Sequence, residues 1–295
     1  MTSNTALKGN LLCMASMLVW ATAFPVADHL LNLMGPVPLT AFRVGIAAVF
    51  LFGLWLANEG RQAMAVVPWG RAFVIGAIGY TFGAILLLGG QELSDPVTVA
   101  IISSMLPLVG IASEVIFDRR PLTLPLVLGL GLTLLGGYVA TAAGTGPKLG
   151  WGALLAAGSL FTYTWLSRQT VRALPNQTAL GQTSATLIGA GIFALLLAFA
   201  AAPFGYSTVA WSGIKLPEVG GLLVYGVGTV ALSHLWWIKG VRHLGVGIAS
   251  MHINITPFYV MMFMLALGSD WNTLQAIGAA IVGAGVLASG KSASE

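Results

Sequence analysis

Charge is scarce in this chain. Asp, Glu, Lys and Arg make up only 7% of it, against roughly 25% in an ordinary soluble domain. One cysteine is present, Cys13, so no internal disulfide forms, and no Cys/His cluster has metal-ligand spacing. No metal or cofactor is therefore expected. Basic runs and aromatic-basic platforms are missing too, so the formal net charge of +4 does not point to nucleic acid. There is no His-Glu-x-x-His. Ser233 and His234 are adjacent and would point about 100° apart on a helix, which excludes a catalytic dyad. An enzyme is not expected.

What the chain has is apolar length. It is 57% hydrophobic with a mean hydropathy of +0.89, and no soluble fold of 295 residues hides that much apolar surface. The bilayer must be its solvent. A span needs about 20 mostly apolar residues. Ten are read, over 10–32, 37–57, 69–90, 96–117, 122–142, 149–169, 177–201, 217–238, 246–267 and 272–290. The first is long enough to cross and is followed by comparable segments, so it reads as an uncleaved insertion signal rather than a signal peptide. Residues 202–214 read as an exposed loop with interfacial aromatics.

The cations fall in alternate gaps between these runs. Lys8, Arg61, Arg71, Arg119, Arg120, Arg168, Arg172, Lys239, Arg242 and Lys291 lie on one side, and only Lys148 and Lys215 on the other. Cationic loops stay cytoplasmic, which places both termini inside. The aromatics agree. Trp55, Trp69, Trp165, Trp236 and Trp237 fall at the expected inner interface, and Trp151, Trp211 and Trp271 at the outer one, where an indole ring is buried and its N–H wet. Trp20 is the exception, near the middle of the first span.

The halves match weakly but in order. Gly9, Ser16 and Trp20 align with Gly152, Ser159 and Tyr163; Pro107 aligns with Pro257; Gly129 and Gly136 align with Gly278 and Gly285. Each half, 1–145 and 146–295, would hold five spans. An odd number makes the second half enter from the opposite side, as an inverted repeat.

With Trp20-Ala21-Thr22-Ala23-Phe24 in the first span, Arg43 early in the second, Pro107 in the fourth and glycine-rich fifth and tenth spans, the chain resembles the drug/metabolite transporter superfamily. Two EamA-type repeats would cover nearly all of it. Phe117-Asp118 and Ser269-Asp270 stand where that family usually has Gly-Glu. Within the superfamily the chain most resembles the YddG-type bacterial amino-acid exporters. The resemblance implies export of aromatic and other apolar amino acids from the cytoplasm, across a bacterial inner membrane.

The residues themselves suggest a site. Pro107 and Pro257 sit near mid-span, where each would free a carbonyl (Ser103, Ile253) and kink its helix beside a cavity. Ser104, His252 and Asn254 lie beside them and read as polar cavity groups. Trp20, Tyr80 and Tyr163 share one layer and read as an aromatic wall for an apolar side chain and an ammonium group. Arg43 reads as an outer structural or gating ion pair with Asp28, Glu92 or Asp95, with Glu114 as its inner counterpart. His234 reads as structural or gating. No fixed charge is expected at mid-depth, and His252 is the only central titratable candidate. That suits a net-neutral substrate such as a zwitterionic amino acid.

The expected architecture is an all-α membrane protein of ten transmembrane helices, two inverted five-helix repeats around a central cavity, working by alternating access. One copy in the lipid bilayer suffices, with a small-molecule substrate as its partner. An exporter of cationic drugs or other neutral metabolites on the same fold is the alternative, and a channel or receptor a more distant one.

Overall fold

A computed structural model describes residues 3–118, 124–145, 150–244, 249 and 252–290. The described residues are helical apart from short turns and one isolated bridge, Met34 with Val209. The chain runs α1 (Ser3–Ala21), α2 (Ala23–Leu31), α3 (Pro36–Ala65), α4 (Trp69–Ile75), a π-helical stretch Gly76–Phe82, α5 (Gly83–Glu92), α6 (Pro96–Ser103) and α7 (Leu106–Asp118). It continues with α8 (Leu124–Thr145), α9 (Trp151–Ala173), α10 (Ala179–Ala201), α11 (Leu216–Leu223), a second π stretch Val224–Leu232 and α12 (Ser233–Leu244). A 3-10 turn His252–Ile255 leads into α13 (Thr256–Ala266), and α14 (Thr273–Gly290) follows.

Five stretches are long and apolar enough to cross a membrane: Leu7–Leu31, Pro36–Ala65, Trp69–Glu92, Ala179–Phe204 and Leu216–Gly240. Shorter apolar helices cover Pro96–Gly110, Val127–Val139, His252–Ala266 and Thr273–Gly285. The α9 helix has the length, but polar residues from Ser159 to Ser167 dilute its apolarity. The loop cations Arg119, Arg120, Lys148 and Lys291 lie outside the described residues, as do the side chains of Glu114 and Arg242.

Local chemistry sets the ends. Asp95 caps α6, accepting from the Thr98 N–H at 2.9 Å and its hydroxyl at 2.5 Å, with Pro96 opening the helix. Thr178 caps α10 through the Gly181 N–H at 3.0 Å. Gly60, with φ 72°, interrupts α3, a conformation glycine adopts without the cost a Cβ would add. The apolar span therefore stops near residue 59, and a short interfacial turn of helix follows. Phe204, Tyr206 and Trp211 are exposed in the 202–214 loop, which is tied back by the Ala210 N–H to the Leu33 carbonyl at 2.8 Å.

The two prolines do not kink continuous helices. Each sits in the first turn of a helix that follows a break. The chain turns at Ser104 and Met105 before α7, and through His252–Ile255 before α13. A proline at the start of a helix has no N–H to lose and its φ is already helical. Ending one helix and starting another therefore costs less than bending through.

Packing pairs α1 with α12, α5 with α9, α3 with α10, and α8 with α14. Backbones touch where glycine permits. A Cβ on Gly90 would fall 2.8 Å from the Gly152 carbonyl oxygen and 2.9 Å from the Ala156 nitrogen. Small residues at such crossings are how helices approach in lipid. The buried core runs from Phe24, Leu30 and Leu39 through Leu88, Ile101 and Tyr225 to Val260 and Val282.

Candidate substrate cavity

One cavity of about 140 Å³ opens along the centre of the bundle. Roughly 150 Å³ is enough to take a benzene ring, so its scale fits one aromatic or branched apolar group. Residues from both halves line it. Trp20 and Phe24 come from the first span, in edge-to-face contact at 5.2 Å. Tyr80 contributes from the first π stretch and Tyr163 from α9, their rings edge to face at 6.4 Å. His234 stands 5.2 Å from Tyr80 at the start of α12. Tyr225, Thr229, Ser233 and Trp237 form a file down the Leu216–Gly240 stretch.

The π stretch makes that file. Residues four apart drift by about 40° at each step of an α-helix, so 225, 229, 233 and 237 would wander off one face. An i→i+5 turn is wider and holds them together. The Ser16 hydroxyl donates to the Ser233 carbonyl at 2.7 Å and locks α1 against α12 beside the file.

Arg43 enters this cavity instead of an outer ion pair. It is 5% exposed. Its Nη1 donates to the Tyr225 hydroxyl, and its guanidinium lies over the Tyr225 ring, 4.9 Å from the centroid, within cation–π range. No carboxylate pairs with it among the described residues, where the one ion pair is His29 with Glu218 at 3.1 Å. The expected partner Asp95 is engaged elsewhere, as the cap of α6 and as acceptor from Gln275 Nε2 at 2.9 Å. The cavity thus holds a fixed positive charge, contrary to the expectation of an uncharged mid-depth. Its described lining includes no Asp or Glu.

Of the sequence candidates, Trp20, Tyr80, Tyr163 and Arg43 line the cavity and Ser104, His252, Asn254, Pro107 and Pro257 do not. The cause is phase. Ser104 points back and donates to the Ile101 carbonyl at 2.6 Å, leaving the cavity to Ser103. His252 lies 3.2 Å from the Ala249 carbonyl through Nδ1, and Ile253, between it and Asn254, faces the cavity. Asn254 buries both amide atoms without a hydrogen-bond partner among the described residues. The central titratable group is His234, not His252. Sequence reasoning missed Tyr225. The four-residue spacing of Tyr225, Thr229, Ser233 and Trp237 along one span was its signal.

The two ends of the cavity differ. Phe24, Leu87 and Gln91 at one end are buried, and the Gln91 amide donates to the Phe24 carbonyl at 2.6 Å. At the other end, toward the side of Lys8 and Lys239, Trp237 is half-buried and Ser167 exposed.

Residues 7–142 of this multi-pass membrane protein match the EamA-like transporter family. Two proteins of Bacillus subtilis (strain 168) are similar along nearly the whole chain. The uncharacterized transporter YyaM is 25% identical over 275 residues, covering 90% of this chain and 87% of YyaM. The uncharacterized transporter YrdR is 22% identical, covering 95% of this chain and 90% of YrdR. A solved crystal structure with 19% identity matches at a TM-score of 0.69 over 98% of this chain and 96% of its own, which speaks for the fold alone.

Proposed function

We propose that the protein is a secondary transporter that exports small apolar solutes bearing a carboxylate, apolar and aromatic amino acids among them, from the cytoplasm by alternating access. The central cavity carries the reading: an aromatic wall around one buried arginine, sized for a single ring. It sits in a bacterial inner membrane as ten spans, with both termini inside, and works without a cofactor. Transporter relatives on both sides of the chain's midpoint support transport over catalysis. The buried cation disfavours the alternative of cationic drugs, because like charges repel in a low-dielectric site.

The two halves act as inverted five-helix units, 1–145 and 146–295, and repeated contacts support this. Gly136 meets the Gly278 carbonyl and Gly285 meets the Gly129 carbonyl, each with an added Cβ 2.7 Å away. If 129 corresponds to 278 and 136 to 285, these are one contact made twice. Gly90 crosses Gly152 as Gly240 approaches the Gly9 carbonyl, 3.3 Å from a Cβ, and Gly9 aligns with Gly152. π stretches in the third and eighth segments and breaks in the fourth and ninth follow the same relation. Buried Phe24 and Gln91 at one end and exposed Ser167 at the other fit a form open to the cytoplasm.

The test is uptake into proteoliposomes of labelled aromatic, small neutral, acidic and basic amino acids and a cationic dye, with and without a pH gradient. Saturable uptake of apolar amino acids alone is expected. Dye transport alone would sink the substrate assignment and leave the fold.

A further inference from the structure

Three residues that line the cavity each bury a polar group that lacks any hydrogen-bond partner among the described residues: Arg43 Nε, the Tyr80 hydroxyl and the Ser103 hydroxyl. All three can donate. Their residues come from the second, third and fourth spans and are 5%, 5% and 4% exposed. An unpaired buried donor is costly, and an arginine stays charged whatever surrounds it. A wall that leaves three donors idle beside one uncompensated cation is complete only when an anion occupies it.

Nothing comparable awaits an ammonium. The described lining contains no carboxylate. The Ser16 hydroxyl is already spent on the Ser233 carbonyl and the Thr229 hydroxyl on the Tyr225 carbonyl at 2.5 Å. The Tyr225 ring face, one cation–π platform of the lining, is covered by Arg43.

Resting on the transport reading above, we infer that the cavity recognises the carboxylate and not the amine of its substrate: Arg43, Tyr80 and Ser103 form an anion anchor, and the substrate class is small apolar monocarboxylates, with or without an α-amino group. Guanidinium meets carboxylate with charge-assisted, directional hydrogen bonds. The aromatic wall takes the apolar remainder.

The experiment compares four probes of one size on the unaltered chain, by direct binding in detergent and by counterflow in proteoliposomes: phenylalanine, 3-phenylpropionate, phenethylamine and phenylalanine amide. The expected result is that 3-phenylpropionate binds at least as tightly as phenylalanine, and that the two probes lacking a carboxylate bind at least tenfold more weakly. Arg43→Gln is expected to abolish the preference for acids, and Arg43→Lys to restore part of it. Phenethylamine or the amide matching phenylalanine, with 3-phenylpropionate weak, would overturn the anchor while leaving the transporter standing. Silence toward all four in liposomes holding folded protein would overturn the transport reading and the anchor with it. If Arg43→Gln does not fold, the probe series on the unaltered chain still decides.

Discussion

Replacing Gly90 by alanine adds one methyl group where two helix backbones meet. That Cβ would stand 2.8 Å from the Gly152 oxygen, 2.9 Å from the Ala156 nitrogen and 3.1 Å from the Ala156 Cβ. Carbon–oxygen contacts settle at about 3.3–3.6 Å, so α5 and α9 must part by about 0.5 Å. The obstructing atoms are mostly backbone, so no rotamer change relieves them. Overpacking of this kind costs about 1–3 kcal/mol. It is opposed by the helix preference of alanine over glycine, about 0.5–1 kcal/mol. Gly53→Ala supplies that second effect alone, because its Cβ meets nothing within 4 Å. The difference between the two variants therefore isolates the crossing. Thermal unfolding in detergent should show Gly90→Ala below Gly53→Ala by several degrees, at about 2–4 °C per kcal/mol for a chain of up to 250 residues. Gly152→Ala strikes the same crossing, its Cβ lying 2.8 Å from the Gly90 oxygen, so the double variant should lose less than the sum. Equal shifts for Gly90→Ala and Gly53→Ala would refute the close backbone contact.

Tyr225→Phe keeps the ring under Arg43 and removes the hydroxyl it bonds. A hydrogen bond to a charged group contributes about 1.5–3 kcal/mol to stability, so the variant should unfold several degrees lower in detergent, and a carboxylate ligand should raise its melting temperature by more than it raises that of the unaltered chain, because Arg43 then has one more free donor. Trp20→Ala removes an aromatic cavity wall worth about 1.5 kcal/mol or more of apolar burial and should raise the half-saturation concentration about tenfold. Asn254→Ala, outside the lining, should leave it unchanged. Asp95→Ala removes a helix cap worth about 1 kcal/mol and frees Gln275. Its thermal destabilisation should overlap that of Gln275→Ala in a double-variant cycle.

The bilayer made the architecture legible. Apolar length and the rhythm of Lys and Arg put helix boundaries within a few residues of where α2, α6, α8, α9 and α10 begin or end. Hydropathy reports depth well, and angle around a helix badly. Trp20, Tyr80 and Tyr163 were legible as cavity residues because their depth sufficed to identify them. Ser104 and Asn254 were not, because one residue of phase separates them from Ser103 and Ile253, and the breaks before Pro107 and Pro257 reset that phase. Arg43 was misread for a related reason. An arginine a turn or two inside a span suggests snorkelling, and only the tertiary position of Tyr225, 182 residues away in sequence, turns it inward.

The π stretch Val224–Leu232 makes the cavity wall sensitive to chain length. Deleting one residue inside it would restore ordinary α-helical spacing at little cost to packing outside. The flanks would keep their phase, because a wide turn holds one residue more than the α turn that would replace it. Ser233, His234 and Trp237 would therefore stay on the wall, while the residues inside the stretch would each move up one place along it. A lineage of such carriers can therefore change which side chains front the cavity from this one stretch through a single-codon deletion, with the rest of the wall kept.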